Sequence, residues 1–233
     1  MRRSLLLFAV LVAAPLAQAQ DGPFSHVGAH VGIGTTGPTV GVVTNLTGRV
    51  NVRLSGSMFS EDYLQPIGID IDSNQELDGT EFNLDNEIDF QQVGVLVDVF
   101  AFSGVRLTGG VFFADRNVAS TLRATEDVTE GGRTFTPDEV GTLRVEGTLG
   151  SSVSPYLGLG FGNAVGTNRG PVRLFAEVGG YFNGSPDITL VAEDPESVIA
   201  PSANPDNEAA LEERLDWFTF YPEVAVGLSL KFN

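Results

Sequence analysis

The chain has 233 residues, with 30 acidic against 13 basic side chains for a formal net charge of −17, and it contains no cysteine. That charge has the wrong sign for nucleic acid or an anionic surface as a partner, and without cysteine no disulfide framework can hold the fold together. Mean hydropathy is nonetheless slightly positive, +0.09, so apolar residues must be distributed along the chain in short pieces.

The first residues, MRRSLLLFAVLVAAPLAQAQ, carry Arg2 and Arg3, an apolar run from Leu5 to Leu16 and the small-x-small triplet Ala17-Gln18-Ala19. This pattern predicts a cleaved export signal over residues 1–19, because the run is shorter than the ~20 residues a spanning helix needs. Its removal leaves 11 basic residues against 30 acidic ones, a net charge of −19. Residues 20–233 then form a single domain.

Period-2 segments follow, each with an apolar face and a small or polar face. Val27, Ala29, Val31 and Ile33 oppose His26, Gly28, His30 and Gly32, and a shorter piece from Thr39 to Thr44 follows the turn-forming "TTGP". Val50, Val52, Leu54 and Met58 oppose Asn51, Arg53, Ser55 and Ser57. After a polar stretch near 61–81, Val93, Val95, Val97 and Val99 oppose Gly94, Leu96, Asp98 and Phe100, and Val105, Leu107, Val111 and Phe113 oppose Arg106, Thr108, Gly110 and Phe112.

Beyond a second polar stretch near 117–141, residues 143–161 read as one 19-residue strand with Leu143, Val145, Leu149, Val153, Leu157, Leu159 and Phe161 on a common apolar face. Val172, Leu174, Ala176, Val178, Phe182, Ile188 and Leu190 read as another long strand. A third polar stretch near 191–215 carries prolines early and a helix-capable piece from Glu208 to Leu215. The last strand places Val224, Val226, Leu228, Leu230 and Phe232 on one face and Glu223, Ala225, Gly227, Ser229 and Lys231 on the other.

Short turns at "NLTG", "FSG" and "GNAVGTNRGP" alternate with the three long stretches. Strands this long, connected this way, predict an all-β fold: a transmembrane antiparallel up-and-down β-barrel of about eight strands, or alternatively ten. The apolar face then meets lipid and the polar face lines the lumen. Trp217, Phe218, Phe220 and Tyr221 at one end of the last strand and Phe232 at the other suit aromatic girdles at the two membrane interfaces.

An eight-stranded barrel has an interior just wide enough for side chains to fill. The inward positions Arg53, Asp98, Arg106, Arg173, Glu177 and Glu223 therefore predict a charge-paired polar network, with Tyr156, Phe175 and Tyr181 filling the remaining space and Arg144 and Glu146 also facing inward. His26 and His30 share the lumen face of the first strand, but no third ligand converges on them to complete a metal site.

In the first polar stretch, Asp70, Asp72, Asn74, Glu76, Asp78 and Glu81 stand at positions 1, 3, 5, 7, 9 and 12 of a calcium-loop spacing. Gln75 replaces the glycine that an EF-hand turn requires, which excludes that motif and leaves a cluster of oxygen ligands as weak candidates for a divalent cation, or else a solvated acidic loop. No serine lies convincingly beside either histidine, so no enzyme and no cofactor is expected.

The blocks "GIGTTGPTVG", "TFTPDEVGTL", "SPYLGLGFGN", "GSPDITL" and "FYPEVAVGLSLKF" resemble a widespread family of small Gram-negative outer-membrane β-barrel proteins of uncharacterised function, similar in fold to the OmpA membrane domain. The resemblance implies the cell outer membrane as location and barrel-assembly machinery that reads the C-terminal strand. That strand usually ends on an aromatic residue, whereas here Asn233 follows Phe232. The expected function is that of a monomeric outer-membrane protein with a plugged polar lumen and a structural or surface-interaction role. The alternatives are a small pore for ions or polar solutes and a lipid-modifying barrel enzyme.

Overall fold

The computed structural model describes residues 22–60, 73–77, 80–102, 104–166 and 170–232. Its strands in chain order are β1 (Val27–Gly34), β2 (Gly37–Thr47), β3 (Val50–Ser60), β4 (Ser73–Leu77), β5 (Thr80–Phe102), β6 (Val105–Ala124), β7 (Val128–Glu130), β8 (Arg133–Phe135), β9 (Thr142–Thr148), β10 (Val153–Phe161), β11 (Val172–Phe182), β12 (Asp187–Ala192) and β13 (Phe220–Lys231), with helices α1 (Pro137–Val140) and α2 (Pro205–Leu215). Eight of them close an antiparallel ring in the order β1, β2, β3, β5, β6, β10, β11, β13, with β13 pairing back to β1 from Gly28↔Lys231 to Gly34↔Ala225. Closure leaves the ring without a free edge, the condition for a sheet to stand in hydrocarbon.

The alternation read from the sequence sets the two faces of this ring. Val31, Ile33, Leu54, Val97, Leu107, Leu159, Leu174 and Val226 lie on its outside and are exposed, Leu174 at 73%. On the inside Leu96 is 1% exposed. A monomer's water-facing surface does not carry a continuous apolar belt of this kind; a hydrocarbon-facing barrel wall does. The start of β1, the end of β13 and the short β2–β3, β5–β6 and β10–β11 connections lie at one end, here called proximal, and the long connections lie at the distal end. The β1–β2 link, also distal, is the two-residue turn Thr35-Thr36 between paired Gly34 and Gly37.

Distally the structure departs from the sequence reading. Residues 143–161 are two strands, not one. Between the pairs Phe113↔Val153 and Asn117↔Thr148, three residues of β6 face four of the partner strand, and Gly150 takes the left-handed φ of +86° that this irregularity needs. One extra residue exchanges the two faces, so Leu143 and Leu149 are buried instead of lipid-facing, while Arg144 and Glu146 turn outward as an exposed ion pair at 2.6 Å. The same exchange separates β11 from β12: Phe182 is exposed on the outside, whereas Ile188 and Leu190 are buried. A sheet in the order β12-β9-β6-β5-β4 thus rises beyond the ring.

The polar stretches are also more ordered than expected. Between 117 and 141, β6 continues to Ala124 and is followed by the β7–β8 hairpin and α1; between 191 and 215 lies α2, whose N-terminus is capped by the Asn204 side chain accepting from the Asn207 N–H. The stretch near 61–81 ends in the β4–β5 hairpin, closed by Leu77↔Thr80. The extended β5–β6 ribbon keeps a period-2 pattern of its own, with Phe82, Leu84, Ile88 and Phe90 half-buried on one face of β5 and Glu81, Asp85, Glu87 and Asp89 exposed on the other, and its backbone ladder runs on as far as Phe82↔Ala124. Replacing Val178, midway along β11 and 61% exposed, with arginine should lower the unfolding free energy in lipid vesicles by about 2–4 kcal/mol, as read from denaturant titration of tryptophan fluorescence.

Candidate functional site

The enclosed lumen is where inward side chains from all parts of the ring meet. At its centre Arg53 of β3 and Arg106 of β6 bracket Asp98 of β5 and Glu177 of β11. Arg53 Nη2 lies 2.8 Å from Glu177 Oε2 and 3.2 Å from Asp98 Oδ1, Arg106 Nε lies 3.3 Å from Asp98 Oδ1, and Arg106 Nη2 pairs with Glu177 Oε2. Thr108 Oγ1 donates to Asp98 at 2.7 Å, and the Tyr156 hydroxyl donates to Glu177 Oε1 at 2.7 Å. All four charged groups are nearly inaccessible to water. Two cations against two anions make the layer neutral, so mutual pairing offsets much of its desolvation cost. Glycine makes the approach possible: a Cβ on Gly160 would stand 2.7 Å from Arg106 Cζ.

On the distal side of this layer Leu96, Phe112, Tyr156 and Tyr181 form an apolar cluster with Tyr221 against it. Their rings meet edge-on or tilted, with Phe112 5.0 Å from Tyr181 and Tyr156 4.9 Å from Tyr181. Above the rings runs a hydrogen-bonded chain. Arg116 donates to Gln92 Oε1 at 2.9 Å, Gln92 to Ser57 Oγ at 3.0 Å, Ser57 to Thr36 Oγ1 at 3.2 Å, and Thr36 to Glu223 Oε1 at 3.4 Å. Phe218 closes the distal mouth, its ring 5.0 Å from that of Tyr221. Of the expected distal girdle, therefore, Trp217 and Phe220 are exposed while Phe218 is buried over the lumen and Tyr221 packs against the cluster.

The proximal mouth is closed by the chain folding into it. Val165 of the β10–β11 connection is 3% exposed, and Arg173 holds that connection by donating to the carbonyls of Asn163, Gly166 and Gly170. Arg106 Nη1 also donates to Gly162 O at 2.6 Å, and Asn51 bonds Asn163 at 3.2 Å. At the N-terminal side Asn45 accepts from the His26 N–H and donates to Gly22 O.

Of the six lumen residues expected from the sequence, the structure brings Arg53, Asp98, Arg106 and Glu177 into one cage. Arg173 and Glu223 are also buried but elsewhere, Arg173 on a loop backbone and Glu223 on the hydroxyls of Thr35 and Thr36. Tyr156, Phe175 and Tyr181 are buried as fillers. The sequence reading missed Gln92 and Arg116; Arg116 lies one residue before the stretch read as a loop, yet it continues the inward parity of Arg106, and its Nη1 donates to Ser154 Oγ at 3.1 Å.

His30 is buried with Nε2 3.1 Å from Ser55 Oγ and its ring edge-on to Phe175, while His26 is half-buried beside Ser25. His30 Nδ1 and Arg53 Nε find no protein partner. Both residues border two voids of about 20 Å³ each, each with room for about one water.

Among the described residues no group of three or more His, Asp or Glu side chains is placed to hold a metal ion. Of the acidic candidates, Asp70, Asp72 and Asp78 lie outside the described residues. Asn74 and Glu76 stand on β4, opposite Asn83 and Glu81 of β5, in an extended hairpin instead of the winding loop of an EF-hand.

Fold and site together define a small β-barrel of the transmembrane type with a packed, charge-balanced interior. No protein-family model and no curated protein sequence matches the chain. Among solved structures it is similar to Acinetobacter baumannii CarO, with a TM-score of 0.52 and 18% identity over 92% of this chain and 100% of that one. It is likewise similar to A. baumannii CarO2, with a TM-score of 0.54, 18% identity and the same coverage. These likenesses bear on the fold.

Arg106→Ala should lower stability by about 3–5 kcal/mol, because it strands Glu177 and Asp98 without a full complement of charge. Arg144→Ala, which breaks the exposed pair with Glu146, should cost about 0–1 kcal/mol. Denaturant unfolding of both variants in the same detergent provides the comparison; equal losses would mean that water reaches the cage.

Proposed function

We propose that the protein is a monomeric barrel of the cell outer membrane whose lumen is sealed and whose function resides in its distal surface, a structural or surface-interaction role. Export by residues 1–19, insertion through barrel-assembly machinery acting on β13, and contact of the apolar belt with outer-membrane lipid belong to this reading. The apolar belt, the even ring whose first strand begins and last strand ends on the same side, and the likeness in fold to CarO and CarO2 support it. The long strands and connections then face the outside of the cell.

The observation that carries the sealed lumen is the layered interior. The Val165 plug, the ion-pair cage, the ring cluster and the Phe218 cap follow one another along the axis, and the voids bordered by His30 and Arg53 are about 20 Å³ each. A solvated ion needs more space than any of these provides, which weighs against the small-pore alternative. The lipid-modifying alternative would need an activated nucleophile beside a base. His30 faces Ser55 at 3.1 Å, but both are buried inside the lumen, away from lipid.

Purified protein in planar bilayers should be electrically silent; steady unit steps of conductance would establish a pore. Mass analysis of lipid A and phospholipid from cells with and without the gene should show identical profiles, and a missing acyl chain or headgroup would establish an enzyme.

A further inference from the structure

The distal sheet ends at β12, whose outer edge is covered by side chains in place of a strand. The N–H of Ile188 donates to Glu212 Oε1 at 3.1 Å, and the N–H of Leu190 donates to Glu208 Oε1 at 2.8 Å. The spacing explains why a helix can do this. Residues i and i+4 of a helix are about 6.0 Å apart along its axis, and residues i and i+2 of a strand are about 6.6 Å apart. The two carboxylates of α2 therefore occupy the positions where an added strand would present its carbonyls.

The hold of α2 is light. It contains no buried residue, and only Glu208, Leu211, Glu212 and Leu215 are half-buried. Next to this edge, on the opposite face of the sheet from Ile188 and Leu190, lies a cavity of about 480 Å³ whose lining includes Glu87, Asp89, Glu146, Asp187 and Thr189. Arg144 in the same lining is engaged by Glu146, while Glu87, Asp89 and Asp187 take part in no ion pair among the described residues.

We propose that the β12 edge is a docking rail for an extended cationic peptide, which adds as a strand in place of the Glu208 and Glu212 carboxylates and lays alternate basic side chains over the acidic cavity. The backbone donors of Ile188 and Leu190 supply the strand geometry, and charge complementarity selects the occupant. A strand's alternate side chains fall on one face, here the face of Asp187 and Thr189. Access from outside the cell rests on the orientation proposed above; binding by purified protein does not.

The test uses the full-length mature chain refolded in detergent and a fluorescein-labelled eight-residue peptide alternating lysine and threonine, followed by fluorescence anisotropy at low salt. Backbone N-methylation of alternate residues, which removes the strand donors and keeps the charge, should weaken binding at least tenfold. Glu208→Ala with Glu212→Ala should tighten it about tenfold, the scale of a hydrogen bond to a charged group. Asp187→Asn with Glu87→Gln, which leaves α2 intact and guards against misfolding of the first variant, should weaken it about tenfold. Equal binding of the N-methylated peptide would reduce the effect to unspecific charge attraction and overturn the proposal. Dimerisation of the double alanine variant without peptide uptake would overturn it in favour of a second copy of the chain as the occupant. Bilayer conductance stays silent in every one of these variants if the sealed-lumen reading holds, so the two readings fail separately.

Discussion

Ring closure by eight strands is the constraint from which the rest of the molecule follows. It removes every free edge at membrane depth, and it also fixes an interior about as wide as the side chains that point into it. That interior is filled by side chains, so whatever the inward face carries must pack and must be satisfied in place. The sequence fills that face with polar residues, and the structure resolves the cost by neutralising charge locally. Arg53, Arg106, Asp98 and Glu177 come from four different strands, and none would be tolerated there without the others. The barrel is thus the inverse of a water-soluble domain: its apolar residues face out and its core is an ion-pair cage beneath a layer of rings.

The ring was legible in the sequence because its signal is simple. Every strand that touches lipid on one face and the lumen on the other repeats with period 2, and β3, β5, β6 and β13 show the inward and outward sets that the alternation of Leu54 with Arg53, Val97 with Asp98, Leu107 with Arg106 and Val224 with Glu223 anticipates. The cage was legible as membership of a face but not as partnership. Parity places Glu223 and Arg173 in the lumen beside the four that pair; only the distances along the axis reveal that Glu223 meets two threonine hydroxyls and Arg173 three loop carbonyls.

What was not legible is the effect of single-residue irregularities. The run from Leu143 to Phe161 alternates except at Gly147, Ser151 and Pro155, and only the small cluster Gly150-Ser151-Ser152 marks the place where a strand gains a residue on its neighbour. Gly150 is a weak marker, since glycine is common throughout this chain, with 28 residues in all. The extended β5–β6 ribbon failed to register for a different reason. Its one apolar face, Phe82, Leu84, Ile88 and Phe90 of β5 beside Val118 and Leu122 of β6, is only half-buried and is set among acidic and amide residues, so the segment reads as polar although the alternation is present.

Those irregularities also divide the molecule into two parts with opposite surface rules. Below Val153 the outward residues are apolar and the inward ones carry the ion-pair cage and the ring cluster. Above Thr148 the exchange of faces turns Leu143, Leu149, Ile188 and Leu190 away from the outer surface and brings Arg144, Glu146, Asp187 and Thr189 onto it. Without the extra residue, the leucines and isoleucine of the rising sheet would continue the lipid-facing wall into water, and its charges would crowd the space above the lumen. The extra residue between β9 and β10, with the matching exchange of faces between β11 and β12, thus converts a membrane wall into a water-facing sheet. It does so at the cost of an open edge, and the closed ring below has none. The Glu208 and Glu212 carboxylates sit at that edge, so the part of the molecule that departs from ring closure is also the part equipped to meet another chain.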